Sequence, residues 1–193
     1  MSKLVFFITA LFAAFIHDIN GQSFQDAYIV EANGDTVKGF IEYKHWDRSP
    51  LEISFKKSLE GAAIRYKPVQ ISAFSVANEN YEGVIVDIDV SPHRLAELSY
   101  SPSPELVKDT VFLQILVQGE KTLLHLKDRN AKNHFYVKED GGYRPLIYKQ
   151  YYVTGGQTGK AVAVNDGYRK ILTNYLQDCS SIDNRIKNAK YDV

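Results

Sequence analysis

Cysteine is nearly absent from this chain of 193 residues, since Cys179 is the only one. A single cysteine cannot close an intramolecular disulfide or supply a paired-cysteine zinc motif. An excess of charge of either sign is also lacking, because 23 Lys and Arg residues balance 23 Asp and Glu residues. Nucleic-acid binders need a basic excess to displace counterions from phosphates, so no nucleic-acid partner is predicted. The remaining composition, 45% hydrophobic and 24% charged, is typical of a globular chain.

The first 21 residues have the composition of a secretory signal peptide. Lys3 precedes the apolar run 4–16, which at 13 residues is too short to span a bilayer. The alternative is a short buried or membrane-anchoring helix. We predict export to the periplasm, the outer membrane or the cell exterior, with a mature chain that begins at about Gln22 and does not span a membrane.

Three pairs of strand-like runs surround turn sequences. In the first, Asn33-Gly34 offers the positive φ angles of a tight hairpin turn. Pro145 lies within the third pair and cannot donate to a strand ladder, so that strand is predicted to be at an edge or to begin after Pro145. The three predicted hairpins are 28–32 with 36–43, 111–117 with 121–127, and 134–138 with 143–148.

The chain between these hairpins adds further short runs that are rich in β-branched and aromatic residues, at 51–56, 63–66, 71–76 and 81–90. No helical pattern separates them, which favours an antiparallel sheet or sandwich over a parallel α/β fold. We predict a mainly β (α+β) fold, with nine to ten strands in a domain over 22–164. Residues 91–108 are predicted to form an exposed loop, and 155–159 a linker.

The C-terminal segment, 165–193, is predicted to be helical and to pack on or beside the sheet. A helix-period stripe places Cys179 on an apolar face, where we expect a small buried side chain. A shorter helix is predicted from Ser181. The stripe comprises Tyr168, Ile171, Leu172, Tyr175, Leu176 and Cys179.

Several of these motifs resemble an uncharacterised family of exported proteins of Bacteroidetes-type bacteria, related to modules found ahead of outer-membrane β-barrels. The similarity covers most of the mature chain, but its motifs are hairpins and core faces. It therefore implies export and a β-rich fold, and it assigns no activity and no functional residue. The motifs are the opening 28–47 with Asn33-Gly34-Asp35 and Trp46-Asp47, the run 53–57, the strand 112–119, and the terminal Tyr168, Leu172, Tyr175 and Cys179.

Asp87, Asp89 and His93 form the main candidate acid–base or metal-binding cluster. Two carboxylates at i and i+2 of a strand point to one face, as paired acids or calcium ligands do. The same alternation places Val84, Val86, Ile88 and Val90 on the opposite face. The acids are therefore predicted to mark the solvated side of a half-buried strand, and not a catalytic group.

Trp46, Asp47 and Arg48 follow the first hairpin and form a candidate binding patch. An exposed aromatic ring beside charges suits contact with a sugar or a peptide, whereas a lone Trp at such a corner also packs over a sheet. His125 and His134 lie on adjoining predicted strands. Their side chains either come together in the fold or pack separately, on the surface or across the strands. No His, Cys or Glu spacing matches a known metal motif, so no cofactor or metal is predicted.

Three functions remain open from the sequence. We predict a non-catalytic module that binds or scaffolds an envelope protein or glycan, since export, neutral charge and abundant tyrosine accompany no recognisable catalytic set. The second is a hydrolase of envelope glycans or peptides with Asp87, Asp89 or His93 as acid–base groups. The third is a small-ligand carrier with an apolar cavity between sheet and helices.

Overall fold

The computed structural model describes residues 24–155, 159–179 and 181–192, so the predicted signal segment 1–21 lies outside the described residues. The fold is mainly antiparallel β, as predicted, and has a ten-stranded sheet, a separate two-stranded hairpin and two short C-terminal helices. The strands of the sheet are β1 (Phe24–Glu31), β2 (Thr36–Glu42), β3 (Ile53–Lys56), β4 (Ile64–Tyr66), β5 (Ile71–Val76), β6 (Glu79–Asp89), β7 (Leu106–Val117), β8 (Leu123–Lys127), β9 (Asn133–Glu139) and β10 (Gly142–Leu146). The remaining elements are the 3₁₀ turn Leu95–Glu97, the hairpin strands β11 (Lys149–Thr154) and β12 (Lys160–Asn165), and the helices α1 (Tyr168–Tyr175) and α2 (Asp183–Asn188).

The strands follow the order β10-β9-β8-β7-β6-β5-β1-β2-β3-β4, and each neighbouring pair is antiparallel. The three predicted hairpins are confirmed as β1–β2, β7–β8 and β9–β10, and the strand with Pro145 is an edge strand as expected. The first turn differs from the prediction that both Asn33 and Gly34 have positive φ angles. Gly34 alone has a positive φ, of 92°, whereas the side chain of Asn33 accepts a hydrogen bond from the Asp35 N–H.

The N-terminal half of the sheet must curl, because β4 and β5 are consecutive in the chain but four strand positions apart. In a flat sheet that separation is about 19 Å. The link, residues 67–70, is a turn in which the Gln70 N–H donates to the Lys67 carbonyl over 2.9 Å. It crosses β6 at Gly83, where a Cβ atom would lie 2.5 Å from the carbonyl oxygens of Pro68 and Ile71.

Two core clusters lie on opposite faces of the sheet, because Phe112 and Leu113 are consecutive in β7 and point in opposite directions. Phe112 packs in the first cluster, inside the curled N-terminal half, and Leu113 packs in the second, between β6 and β10. The first cluster is Ile29, Ile41, Tyr43, Ile53, Phe55, Ile71, Phe74, Val76, Tyr81 and Phe112. The second is Val86, Ile88, Val111, Leu113, Leu124, Leu126 and Tyr136.

Helix α1 packs on β9 and β10, on the face opposite to the second core cluster, and α2 packs against α1. Tyr168 is buried there with Phe135, Val137 and Leu146, and Ile171, Leu172 and Tyr175 complete the contact. The predicted burial of Cys179 is wrong. Helix α1 ends at Tyr175, so the stripe does not continue for another turn and the thiol is exposed.

The predicted linker 155–159 lies between β11 and β12, which pair with each other as an antiparallel hairpin. Residues 156–158 lie outside the described residues. The hairpin is held against the long loop between β6 and β7, because the Tyr152 N–H donates to the Ser99 carbonyl and the Asn165 amide donates to the Pro102 carbonyl. That loop, residues 90–105, is shorter than the predicted 91–108, since β7 begins at Leu106.

Candidate functional site

A buried ion pair joins the end of β6 to the last residue of the turn between β8 and β9. The Lys132 ammonium donates to the Asp89 carboxylate over 2.8 Å, and also to the Asp89 and Ser91 carbonyls at 2.8 and 3.0 Å. The side chains of Lys132 and Asp89 are only 12% and 5% exposed. All three N–H donors of the ammonium are therefore used within the protein.

The Asp89 carboxylate also has hydrogen-bond partners within the protein. Its Oδ1 atom accepts from the Ser91 N–H at 3.0 Å and the Glu105 N–H at 3.3 Å, while the Ser91 hydroxyl also accepts from Glu105. Burial acts to raise the pKa of Asp89, but the hydrogen bonds from Lys132 and Ser91 outweigh it and hold the pKa below the ordinary value. The carboxylate stays ionised and clamps both ends of the 90–105 loop.

The expectation that Asp89 lies on the solvated side of its strand is therefore wrong. A period-two pattern separates two faces but does not say what covers each face where the strand ends. Here the loop and Lys132 cover Asp89, while Val90, expected on the core side, is 51% exposed. Asp87 does lie on the open face as predicted, and its carboxylate is 3.4 Å from the Lys108 ammonium.

Asp128 and His134 form a second polar pair beside the first. The Asp128 carboxylate accepts from the N–H groups of Asn130 and Lys132, which fixes the turn that presents Lys132. Its other oxygen lies 3.1 Å from His134 Nε2. Burial acts to raise the pKa of Asp128, and the hydrogen bond with His134 is the main influence that instead lowers it.

Two adjoining cavities open around these pairs. One of about 240 Å³ contains Asp89 and His93 in its wall, together with Asp128 and Lys132. The other, of about 260 Å³, is lined by His93, Lys132, Asn133, Tyr148, Lys149 and Gln150, with Pro92, Ala131 and Tyr191. Of the predicted acid–base cluster, the structure thus brings Asp89 and His93 to a shared cavity and leaves Asp87 outside it.

The second cavity is lined by two lysines, Lys132 and Lys149, that the sequence patterns did not single out. Lys149 is 2% exposed, and its ammonium donates one hydrogen bond, of 2.7 Å, to the Ser103 carbonyl. Within the described ranges no carboxylate is within ion-pair distance of it. A lysine at the start of a strand looks like an ordinary surface residue in sequence, so no local signal marks it.

Two residues of the candidate patch Trp46, Asp47 and Arg48 make contacts within the domain. Trp46 is half-buried, and its ring meets those of Tyr43, Phe74 and Tyr81 edge-on, with centroids 5.0 to 6.0 Å apart. Asp47 accepts a 2.9 Å hydrogen bond from the Lys127 ammonium, which lowers the pKa of the Asp47 carboxyl. This geometry supports the packing alternative for Trp46.

His125 and His134 lie on opposite faces of the sheet, because His125 is paired with Phe135 while His134 is paired with Leu126. His125 Nε2 is 3.0 Å from the Asn133 carboxamide oxygen, and burial lowers the pKa of this imidazole. The two rings therefore form no joint site. Across residues 24–155, 159–179 and 181–192, no group of three or more His, Cys, Asp or Glu side chains is placed to hold a metal ion.

Comparisons of the chain with protein-family models, with curated proteins and with solved structures give no match. The resemblance to an exported family therefore stays a prediction. In the described part of the chain, none of the helices has the length and apolar character needed to cross a membrane.

Proposed function

We propose that the chain is an exported, non-catalytic binding or scaffolding module of the cell envelope, with an envelope protein or glycan as its partner. The observation that carries this proposal is the saturation of the polar cluster at the end of the sheet. The Lys132 ammonium donates three hydrogen bonds, to Asp89 and Ser91. The Asp89 carboxylate accepts hydrogen bonds from Ser91, Glu105 and Lys132. Asp89, a member of the predicted acid–base cluster, thus serves to hold a loop.

The hydrolase alternative has one observation in its favour, which is the shared cavity of Asp89 and His93. General acid catalysis requires a carboxyl group that keeps its proton near neutral pH. The pKa of Asp89 is shifted in the opposite direction, and Asp87 lies outside the cavity in a pair with Lys108. The geometry thus favours binding over hydrolysis.

The carrier alternative required an apolar cavity between sheet and helices. Rings fill that region: Tyr191 stacks on Tyr148 with centroids 5.2 Å apart and meets Phe135 edge-on at 4.8 Å. The cavity beneath them, next to Leu146 and Pro145, has a volume of about 10 Å³. Such a space holds about one water molecule and no organic ligand.

The proposal is tested by mixing the mature protein, residues 22–193, with washed cell-envelope fragments and separating them by centrifugation. We expect the protein in the pellet and no soluble reducing sugars or new amino groups in the supernatant. Release of such fragments in proportion to protein and time would establish the hydrolase instead. Protein that stays wholly in the supernatant would refute the binding proposal.

A further inference from the structure

The cavity of about 260 Å³ beside Lys149 has the lining of an anion site. Two lysines and a histidine contribute to its wall, and no Asp or Glu does. Asp89 already neutralises Lys132 at 2.8 Å, so Lys132 adds little net charge. The uncompensated charge in this wall is that of Lys149.

Lys149 is an unusual buried cation. Taking an ammonium group out of water is costly unless an opposite charge and hydrogen bonds compensate for it. Its ammonium has three donors, and one of them reaches the Ser103 carbonyl. Two donors and the whole positive charge are thus without a described protein partner, in the wall of a cavity.

Neutral donors lie in the same wall. The Asn133 carboxamide oxygen accepts from His125, so its Nδ2 group is left without a partner among the described residues. Gln150 adds a second carboxamide, whose one side-chain hydrogen bond among the described residues is a long one of 3.5 Å, donated to the Tyr148 hydroxyl. His93 is exposed and therefore accessible from solvent.

We propose that this cavity binds a small oxyanion, a carboxylate or phosphate group, with Lys149 as its charged ligand and the Asn133 and Gln150 amides as donors. Charge-assisted hydrogen bonds from an ammonium to such oxygens are the strong kind. The volume is just below the range of about 300–1,000 Å³ that holds drug-sized ligands, which indicates a small molecule or a single anionic group of a larger one. This inference rests on the proposed binding function, because it names the ligand class of that module.

The test is calorimetric titration of the mature protein with inorganic phosphate and, separately, with acetate, at constant ionic strength set with sodium chloride. We expect saturable one-to-one binding of at least one of the two anions, and the preferred one identifies the group. Lys149→Met should weaken it about tenfold or more, the value of one charge-assisted hydrogen bond. Lys149→Arg keeps the charge and should retain most of the affinity.

The second variant is His93→Glu, which changes an exposed residue instead of the buried Lys149. It places a carboxylate in the wall at an exposed residue, so it should fold normally and weaken anion binding. Lys57→Met removes an exposed lysine just after β3, which does not line the cavity, and should bind like wild type.

Three outcomes would overturn the inference: no saturable binding of either anion, equal affinity in wild type and Lys149→Met, or equal loss in Lys57→Met. Equal affinity would mean that Lys149 only anchors the loop at Ser103. If no anion binding is detected but the protein still pellets with the envelope, the anion site is refuted and the proposed function is not. Anion binding without envelope binding defeats the proposed function alone.

Discussion

Asp89 and Lys132 are 43 residues apart in the chain and form a 2.8 Å ion pair that is almost completely buried. The pair joins the end of β6 to the β8–β9 turn and holds the loop between β6 and β7 through Ser91 and Glu105. Asp89, predicted to be a solvated acid, is thus a buried structural contact, and two cavities open beside its pair with Lys132.

Lys132→Met should destabilise the protein by about 3–5 kcal/mol, because it leaves the Asp89 carboxylate buried without its counter-charge. Chemical denaturation followed by tyrosine and tryptophan fluorescence measures this change. The matched control is Asp87→Asn, two residues from Asp89 in the same strand, whose exposed pair with Lys108 should be worth about 1 kcal/mol or less. Equal effects of the two substitutions would show that the buried pair has no special role.

His125 should make stability depend on pH between about 7 and 5. Burial lowers its pKa in the folded protein below the ordinary 6.5, so the unfolded chain takes up the proton more readily. The free energy of unfolding should therefore fall as pH drops through 6.5 and be independent of this group above about pH 7.5.

The measurement for His125 is urea denaturation of wild type and His125→Gln at pH 7.5 and pH 5. The variant should lose less stability than wild type between the two values, because its side chain does not titrate. Identical losses would mean that His125 is as easily protonated in the fold as in the unfolded chain.

Gly83→Ala should destabilise the protein by about 1–3 kcal/mol, because the new methyl group would overlap the carbonyl oxygens of Pro68 and Ile71 at 2.5 Å. Both are backbone atoms, the first in the link 67–70 and the second at the start of β5, so they cannot turn aside as a side chain would. Gly119→Ala is the control, since the nearest atom to its added Cβ is 3.9 Å away. A Gly83→Ala protein as stable as the control would show that the link does not cross β6 there.

Export should remove residues 1 to about 21. The prediction rests on the basic start and short apolar run of this segment. Intact-mass measurement of the protein recovered from the envelope or the medium tests it. Recovery of a chain that still begins with Met1 would refute the signal peptide.

Local patterns in the sequence predicted the hairpins, because a turn such as Asn33-Gly34 and its flanking strands are encoded within about fifteen residues. The stripe of α1 was predicted for the same reason, although the helix stops at Tyr175 and leaves Cys179 exposed. The pairing of β1 with β5 and the curling of the N-terminal half depend on contacts far apart in sequence. Periodicity carries no information on such contacts.

The candidate site was only partly predictable for the same physical reason. Asp89 and His93 were identified as chemistry-bearing, but Lys132 reaches Asp89 only after the β8–β9 turn folds back towards the end of β6. Lys149 becomes buried only when the 90–105 loop packs against β11 and offers the Ser103 carbonyl. Neither lysine has a distinctive neighbour in the sequence.

The most direct measurement of the binding-module proposal is envelope co-sedimentation of wild type and Lys149→Met with increasing phosphate and, separately, increasing acetate. Wild type should pellet with the envelope and be released in a saturable manner by the anion that binds in the calorimetric titration, whereas Lys149→Met should stay in the supernatant, and neither should release soluble fragments. Equal pelleting of both proteins, unaffected by either anion, would contradict binding through the Lys149 cavity, and release of envelope fragments would contradict a non-catalytic module.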